Sequence, residues 1–248
     1  MKIFVCSTGR CGTAFFKGVF ERSTPIPSFH EPFPRGIGRV CEEVNNYEYL
    51  SYEVEQVLRA KVRFIRLNQK DGWYFESSQM FIKTFVWEIL ESFDDVACIF
   101  LFRNPLEVLL SYQATQGEGK PIDWFLKAEW RRNILRMEGI TSWAETILWN
   151  WFEVKARFFH FREKFKKSYV FNFKKINDPL EWRRLFEYFE IPYSRIELSN
   201  IWRGERKQKI SNSELLLRLT QEWDEIGKLG GFNEDFEEVR KWQNVISR

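Results

Sequence analysis

Histidine is nearly absent from this 248-residue chain, with two in all, and the four cysteines (Cys6, Cys11, Cys41 and Cys98) follow no metal-ligand spacing. A structural or catalytic zinc site of the usual His/Cys type is therefore excluded as an expectation. Charge of one sign is also missing. Lys and Arg number 38 against 35 Asp and Glu, a net +3, so there is no global basic field of the kind that gathers nucleic acid. No stretch approaches the roughly 18 apolar residues of a membrane helix. The first apolar run is too short for a secretory signal, and Cys6 and Cys98 sit in apolar surroundings as buried free thiols do. These absences point to a soluble protein of a reducing, cytoplasmic compartment. What the chain has in excess is aromatic residues: 18%, with 25 Phe and 11 Trp. A bulky core accounts for most of them. The length suits one large α/β domain, and no repeat, low-complexity tract or linker divides it.

The most informative stretch is Val5 to Phe16, V-C-S-T-G-R-C-G-T-A-F-F. An apolar run, Ile3 to Cys6, stops at Ser7. Gly9 and Gly12 follow with Arg10 between them, and Phe15, Phe16, Val19 and Phe20 then recur at helical spacing. Strand, small-residue loop and helix in this order gather backbone N–H groups at the positive end of a helix dipole. Arg10 adds a cationic fork suited to an oxyanion. The loop reads as an anion cradle. It is not the nucleotide P-loop G-x-x-x-x-G-K-[ST], because Thr13 follows Gly12 directly and the Lys is missing.

Further along, Ser23 to Arg39 is rich in Pro and Gly and reads as a loop carrying His30 and Glu31. Tyr47 to Ala60 reads as a helix, and Val62 to Leu67 and Met80 to Phe85 as strands, the second ending in Lys83-Thr84. Val96 to Phe102 is a nearly unbroken apolar strand. Asn104 and Pro105 open a helix to about Ala114. Apolar strands alternating with helices predict an α/β fold: three layers, with a central, mostly parallel sheet flanked by helices. Arg103 falls at a strand's carboxyl end and Ser111 eight residues on, so the second anion-suited pair is expected on the same rim as the cradle. Trp149, Phe152, Ala156 and Phe159 share a helical face, Tyr169 to Phe173 reads as a strand, and Leu180 to Phe189 as a helix. Arg203, Arg206, Lys207 and Lys209 form a basic loop. Two amphipathic helices, Ser213 to Glu225 and Glu234 to Val245, are expected to pack on the domain.

Ser7-Thr8-Gly9-Arg10-Cys11-Gly12-Thr13, the run Phe100-Leu101-Phe102-Arg103-Asn104-Pro105, and Ser111 together resemble the sulfotransferases that use 3′-phosphoadenosine 5′-phosphosulfate (PAPS). The likeness spans about Lys2 to Pro192. It implies a P-loop NTPase-like sulfotransferase fold. The donor would be held by Thr8, Gly9, Arg10, Cys11, Gly12, Thr13 and Ala14 at its 5′-phosphosulfate, and by Arg103 and Ser111 at its 3′-phosphate. A late basic residue (Arg203, Arg206 or Lys207) would join the latter. In the cytosolic members a His shortly follows the Lys-Thr of the third strand. Here Lys83-Thr84 is followed by Phe85, so the resemblance is closer to the carbohydrate and tyrosylprotein members, whose base is a Glu after the first helix. Glu31 lies 21 residues past Arg10 and takes that place, with His30 as the alternative base.

The implied reaction moves a sulfonate from PAPS to a hydroxyl or amine of a carbohydrate or small molecule and leaves adenosine 3′,5′-bisphosphate. No metal is required, since the transferred group bears little charge and no carboxylate cluster adjoins the loop. Lys83 either touches the leaving oxygen or the sulfonate, or is a strand-end surface lysine. Cys11 is either a small loop residue or a thiol activated by Arg10. A small-molecule kinase with an unusual loop and a non-catalytic nucleotide-binding relative are the competing readings. Acceptor identity and oligomeric state are not legible in a single sequence.

Overall fold

A computed structural model describes residues 1–116, 124–140 and 142–199 of the chain. Five parallel strands form one sheet in the order β2-β3-β1-β4-β5. They are β1 (Lys2–Cys6), β2 (Ser28–His30), β3 (Tyr74–Ser77), β4 (Val96–Phe102) and β5 (Lys167–Asn172). Helices cover both faces, as the near-continuous apolar runs of β1 and β4 require. On one face lie α1 (Thr13–Ser23), α5 (Pro105–Gln116) and α7 (Pro179–Phe189), with Phe16, Phe20, Leu109, Trp182 and Phe186 in the core. On the other lie α2 (Arg39–Asn46), α3 (Tyr52–Asn68) and α4 (Val86–Ser92). The long α6 (Trp143–Phe161) serves both cores, giving Leu148, Trp151 and Phe152 to the first and Trp149, Val154 and Phe158 to the second.

Local chemistry explains the boundaries. Ser51 caps α3 by accepting from Val54 N at 3.4 Å. Ser142 and Glu145 close a reciprocal capping box on α6. Asp178 caps α7, with Pro179 as its first residue. By contrast α1 starts from Gly12 with no side-chain cap and no acidic residue in its first turn.

Three sequence expectations are corrected. Val62 to Leu67 is not a strand but the second half of α3, where Val54, Leu58, Val62 and Ile65 form one buried stripe. Met80 to Phe85 is not a strand either. It is a π-helical turn, Phe81–Phe85, running directly into α4. Met80 to Phe85 is buried throughout, and a short apolar run does not separate a buried strand from a buried helix; Val62 to Leu67 buries Val62 and Ile65 at helical spacing and exposes Arg63, Arg66 and Leu67. The third strand is instead Tyr74–Ser77, just after a tight turn closed by Lys70 and Trp73. The loop Ser23 to Arg39 also contains the short edge strand β2. The basic loop 203–209 and the helices expected over 213–225 and 234–245 lie outside the described residues. Among those described, no helix is long and apolar enough to cross a membrane.

Inside the sheet's second core sits a charged group the sequence did not advertise. Glu76 of β3 is wholly buried, pairs with Lys61 Nζ at 2.7 Å and accepts from Tyr74 Oη at 2.6 Å. Lys61 also lies 5.1 Å from the Phe85 ring centroid. Such a pair is not strongly stabilising in itself, but removing one partner strands a charge in the core. Lys61→Met is therefore expected to lower stability by about 3–5 kcal/mol. Urea unfolding checks this, with a reduced midpoint at an unchanged slope.

Candidate active site at the carboxyl edge of the sheet

β1 is central. The chain leaves it for β2 and β3 on one side and returns to β4 and β5 on the other. The strand order therefore reverses between β1 and β4, where an open parallel sheet forms a crevice outside its carboxyl ends. The candidate donor-site and base residues lie at the end of β2 or in the segments that follow β1, β2, β3 and β4.

The loop after β1 turns through left-handed conformations at Gly9 (φ 91°), Arg10 (φ 55°) and Gly12 (φ 86°). Gly9 is required for space as well as for φ. A Cβ there would lie 2.3 Å from Tyr112 Oη and 2.7 Å from Gln79 Oε1. Tyr112 Oη donates to Thr8 O at 3.1 Å, fixing the loop from α5. Cys11 Sγ donates to Gly9 O at 3.0 Å and lies 3.4 Å from Thr8 Oγ1. Burial pushes the Cys11 thiol up, against the smaller opposing effects of Thr8 and Arg103, so Cys11 shapes the loop and is not a poised thiolate. Gly12, Thr13 and Ala14 open the uncapped first turn of α1 toward the crevice.

Arg103 and Ser111 come to the same place. Arg10 Nε donates to Ser111 Oγ at 3.2 Å, and Arg103 Nη1 donates to Arg10 O at 2.5 Å. The two anion-suited sites expected from the sequence are thus contiguous, joined through Arg10. Arg103 is further held by Glu107 at 3.2 Å and lies 4.5 Å from the Phe173 ring centroid. Phe173 follows β5 and, with Asn172 and Lys174, lines a small recess beside Arg103.

On the other side of the cradle, Glu31 follows β2 with φ 44°, a conformation uncommon for a glutamate. Its N–H donates to Ser77 O at 3.3 Å. His30 Nδ1 lies 2.9 Å from the same carbonyl and 3.2 Å from Ser77 Oγ, which itself donates to Thr13 O at 2.8 Å. Because a carbonyl can only accept, His30 Nδ1 donates to it, which in the neutral imidazole leaves Nε2 as the acceptor. Ser77 therefore ties the His30-Glu31 turn to the start of α1.

Lys83 is not a surface lysine. It is fully buried in the π-helical turn, with Nζ donating to Gln79 Oε1 at 3.2 Å and to Trp124 O at 3.1 Å. Gln79 is the residue packed against Gly9, so the Lys83 amine stands next to the cradle. Burial lowers its pKa to about 8, with Arg157 pushing the same way and Cys41, Glu31 and Cys6 opposing. Burial likewise pushes the Tyr112 hydroxyl up.

Sequence reasoning missed Ser77, Gln79, Tyr112 and Phe173. Ser77-Ser78-Gln79 is a polar run breaking an apolar stretch, which marks a strand end once β3 is placed correctly. Phe173 stands directly after β5, on the same rim. Among the described residues, no group of three or more His, Cys, Asp or Glu is placed to hold a metal.

A buried cation held below its ordinary pKa costs stability. Lys83 goes from 10.5 to about 8, which corresponds to roughly 3 kcal/mol at neutral pH. Between those values the unfolded chain binds the extra proton, so the cost is full below about 8 and fades toward 10.5. Lys83→Met is expected to raise stability at pH 7, and its advantage over the native chain should shrink at pH 9.5. Urea unfolding at the two pH values measures both.

No protein-family model matches the chain. No curated protein matches it in sequence. A sulfotransferase from Alicyclobacillus acidocaldarius, known from a crystal structure, is similar in structure over 92% of this chain and 94% of its own, with 13% sequence identity and a TM-score of 0.47.

Proposed function

We propose that the chain is a sulfotransferase that moves a sulfonate group from PAPS to a hydroxyl or amine of a carbohydrate or small-molecule acceptor. The observation that carries this reading is the contiguity of Arg10, Ser111 and Arg103 beside an uncapped helix start. A donor with roughly four negative charges needs two anion sites that one molecule can span. The loop Thr8 to Ala14 suits the 5′-phosphosulfate through its N–H groups, the Thr13 hydroxyl and Arg10. Arg103 and Ser111 suit the 3′-phosphate.

In this reading the acceptor oxygen or nitrogen attacks the sulfur in line, and the bond from sulfur to the bridging oxygen of the 5′-phosphate breaks. Glu31 takes the acceptor proton, with His30 Nε2 as the alternative base. Negative charge collects on the leaving phosphate oxygen, where Arg10 stabilises it. Lys83, next to the cradle and within the field of Glu31, steadies the transferred group or the leaving oxygen. The chain is read as a single domain.

Adenosine 3′,5′-bisphosphate is expected to raise the thermal midpoint, by the equivalent of about 2.7 kcal/mol at a hundred times its Kd. ATP should not. Stabilisation by ATP with none from the bisphosphate would sink the proposal in favour of a kinase.

Glu31→Gln is expected to lower kcat by about 10²–10⁴-fold while leaving bisphosphate binding within a factor of a few. Arg10→Ala should lower kcat about 10²–10³-fold and weaken the bisphosphate as well. Single-turnover transfer from labelled PAPS across an acceptor panel reads both. Donor binding with no transfer by the native chain would indicate a non-catalytic relative.

A further inference from the structure

We infer that Arg157, on α6 and outside the rim, is a positioning residue that fixes Lys83 for the proposed reaction. The inference rests on that reading of Lys83. Arg157 is wholly buried, and its guanidinium points three ways. Nε donates to Glu153 Oε1 at 2.6 Å, Nη2 to Asn133 Oδ1 at 3.0 Å, and Nη1 to Lys83 O at 3.0 Å and Ile82 O at 3.4 Å. Asn45 Nδ2 of α2 adds a second donor to Lys83 O at 2.9 Å. The carbonyl of this one residue thus receives side chains from two separate helices.

The π-helical turn explains why such fixing is needed. A π turn makes i→i+5 bonds in place of i→i+4 and is a rare element, so donors from neighbouring elements at its carbonyls help to hold it. Arg157 and Asn45 supply that hold at the carbonyls of Ile82 and Lys83. The bonds also close a ring. Lys83 Nζ reaches Trp124 O, the segment after Trp124 is tied to α6 through Leu126 and Asn150, and Asn133 of that segment accepts from Arg157. Glu153 holds the same segment by accepting from Ile134 N at 3.0 Å and Leu135 N at 2.8 Å. A buried ion pair has no general stability advantage over apolar residues of similar volume. A planar fork with donors in fixed directions does hold three elements in one register, which a lysine or a leucine does not.

Arg157 also bears on the charge of Lys83. The titratable and charged groups acting on that amine are Cys41 from α2, Arg157 from α6, Glu31 from the turn after β2, and Cys6 from β1. Arg157 opposes protonation of Lys83, so removing its charge lets the amine hold its proton to higher pH.

The test uses the full chain with ¹³Cε-labelled lysine and follows the Lys83 resonance, identified by its loss in Lys83→Met. In the native protein the titration midpoint is expected near about 8. In Arg157→Met combined with Glu153→Gln both charges go, while an oxygen remains for Ile134 and Leu135 N–H. There the midpoint should move up, and the alkaline fall in kcat should move with it. A midpoint unmoved in a folded double variant overturns the inference. Arg157→Lys keeps the charge but not the fork, and guards against a double variant that does not fold. Its kcat is expected to fall about tenfold with the donor KM within about twofold. An unchanged kcat overturns the inference. The lysine titration needs no turnover, so a native protein that transfers no sulfonate would fail the functional proposal and leave the effect of Arg157 on Lys83 still decided by the midpoint.

Discussion

The backbone at Gly9 approaches its neighbours more closely than any side chain permits, and the rim is built around that approach. Tyr112 Oη and Gln79 Oε1 occupy the space where a Cβ would stand. Tyr112 belongs to α5, which also carries Ser111, and Gln79 is the partner of Lys83. One glycine therefore sets the distance between the loop after β1, the helix after β4 and the turn after β3. With a larger residue there, Tyr112 Oη and Gln79 Oε1 would have to shift, and their bonds to Thr8 O and Lys83 Nζ would be disturbed with them.

The same economy of space explains where strain and buried charge occur. Arg10 and Glu31 both take left-handed backbone conformations, which side chains other than glycine adopt at a cost of order 1–3 kcal/mol in unfavourable cases. Each sits at a strand end, held by bonds from an adjoining element: Arg10 O by Arg103, Glu31 N by Ser77 O. Lys83 and Arg157 add two fully buried cations, of which only Arg157 has a carboxylate bonded to it among the described contacts. A core selected for stability alone would hold apolar residues at these positions. Arg10, Glu31 and Lys83 gather at one edge of the sheet, while the ion pairs at the opposite strand ends, Met1 and Lys2 with Asp95 and Lys167 with Glu190, are partly exposed; the first edge is where position outweighs stability.

How much of this was legible in the sequence follows from the range of each signal. The strand, loop and helix at Val5 to Phe16 announce themselves because glycine spacing and helical periodicity are local. The strand Val96–Phe102 and the Asn104-Pro105 helix start are legible for the same reason. Met80 to Phe85 misled because a mostly apolar run reports burial and not period, and the π turn is buried throughout; Val62 to Leu67 misled because six residues hold too few turns to separate the helical stripe Val62 and Ile65 from a strand's alternation. Lys83 was recognised as a candidate, but its burial was not, since nothing in Phe81-Ile82-Lys83-Thr84-Phe85 says that Arg157, 74 residues away, will bind its carbonyl. Long-range polar bonds inside a core leave no periodic trace. Tyr112 and Gln79 escaped notice on the same ground: each matters through Gly9, a neighbour in space only.

The sheet order divides the rim into two unlike halves. Toward β4 and β5 stand Arg10, Arg103 and Phe173, exposed or half-buried and open to solvent. Toward β3 stands Lys83, closed off by Gln79, Trp124 and the ring of Phe125, whose centroid is 4.9 Å from Nζ. An open, cationic half suits a large, charged molecule that must enter and leave whole, because exposed arginines keep enough hydration to release it. A closed half, where a charge is worth more because water is excluded, suits the few atoms at which bonds change. Gly9 lies on the seam between the halves. On the proposed reading the sulfur of the donor would sit there too, so that one group is presented from the wet side to groups held on the dry side. The acceptor must then approach from the side of β2, where His30 and Glu31 are tied to Ser77, and its reacting atom is the only part of it that needs to reach the closed half.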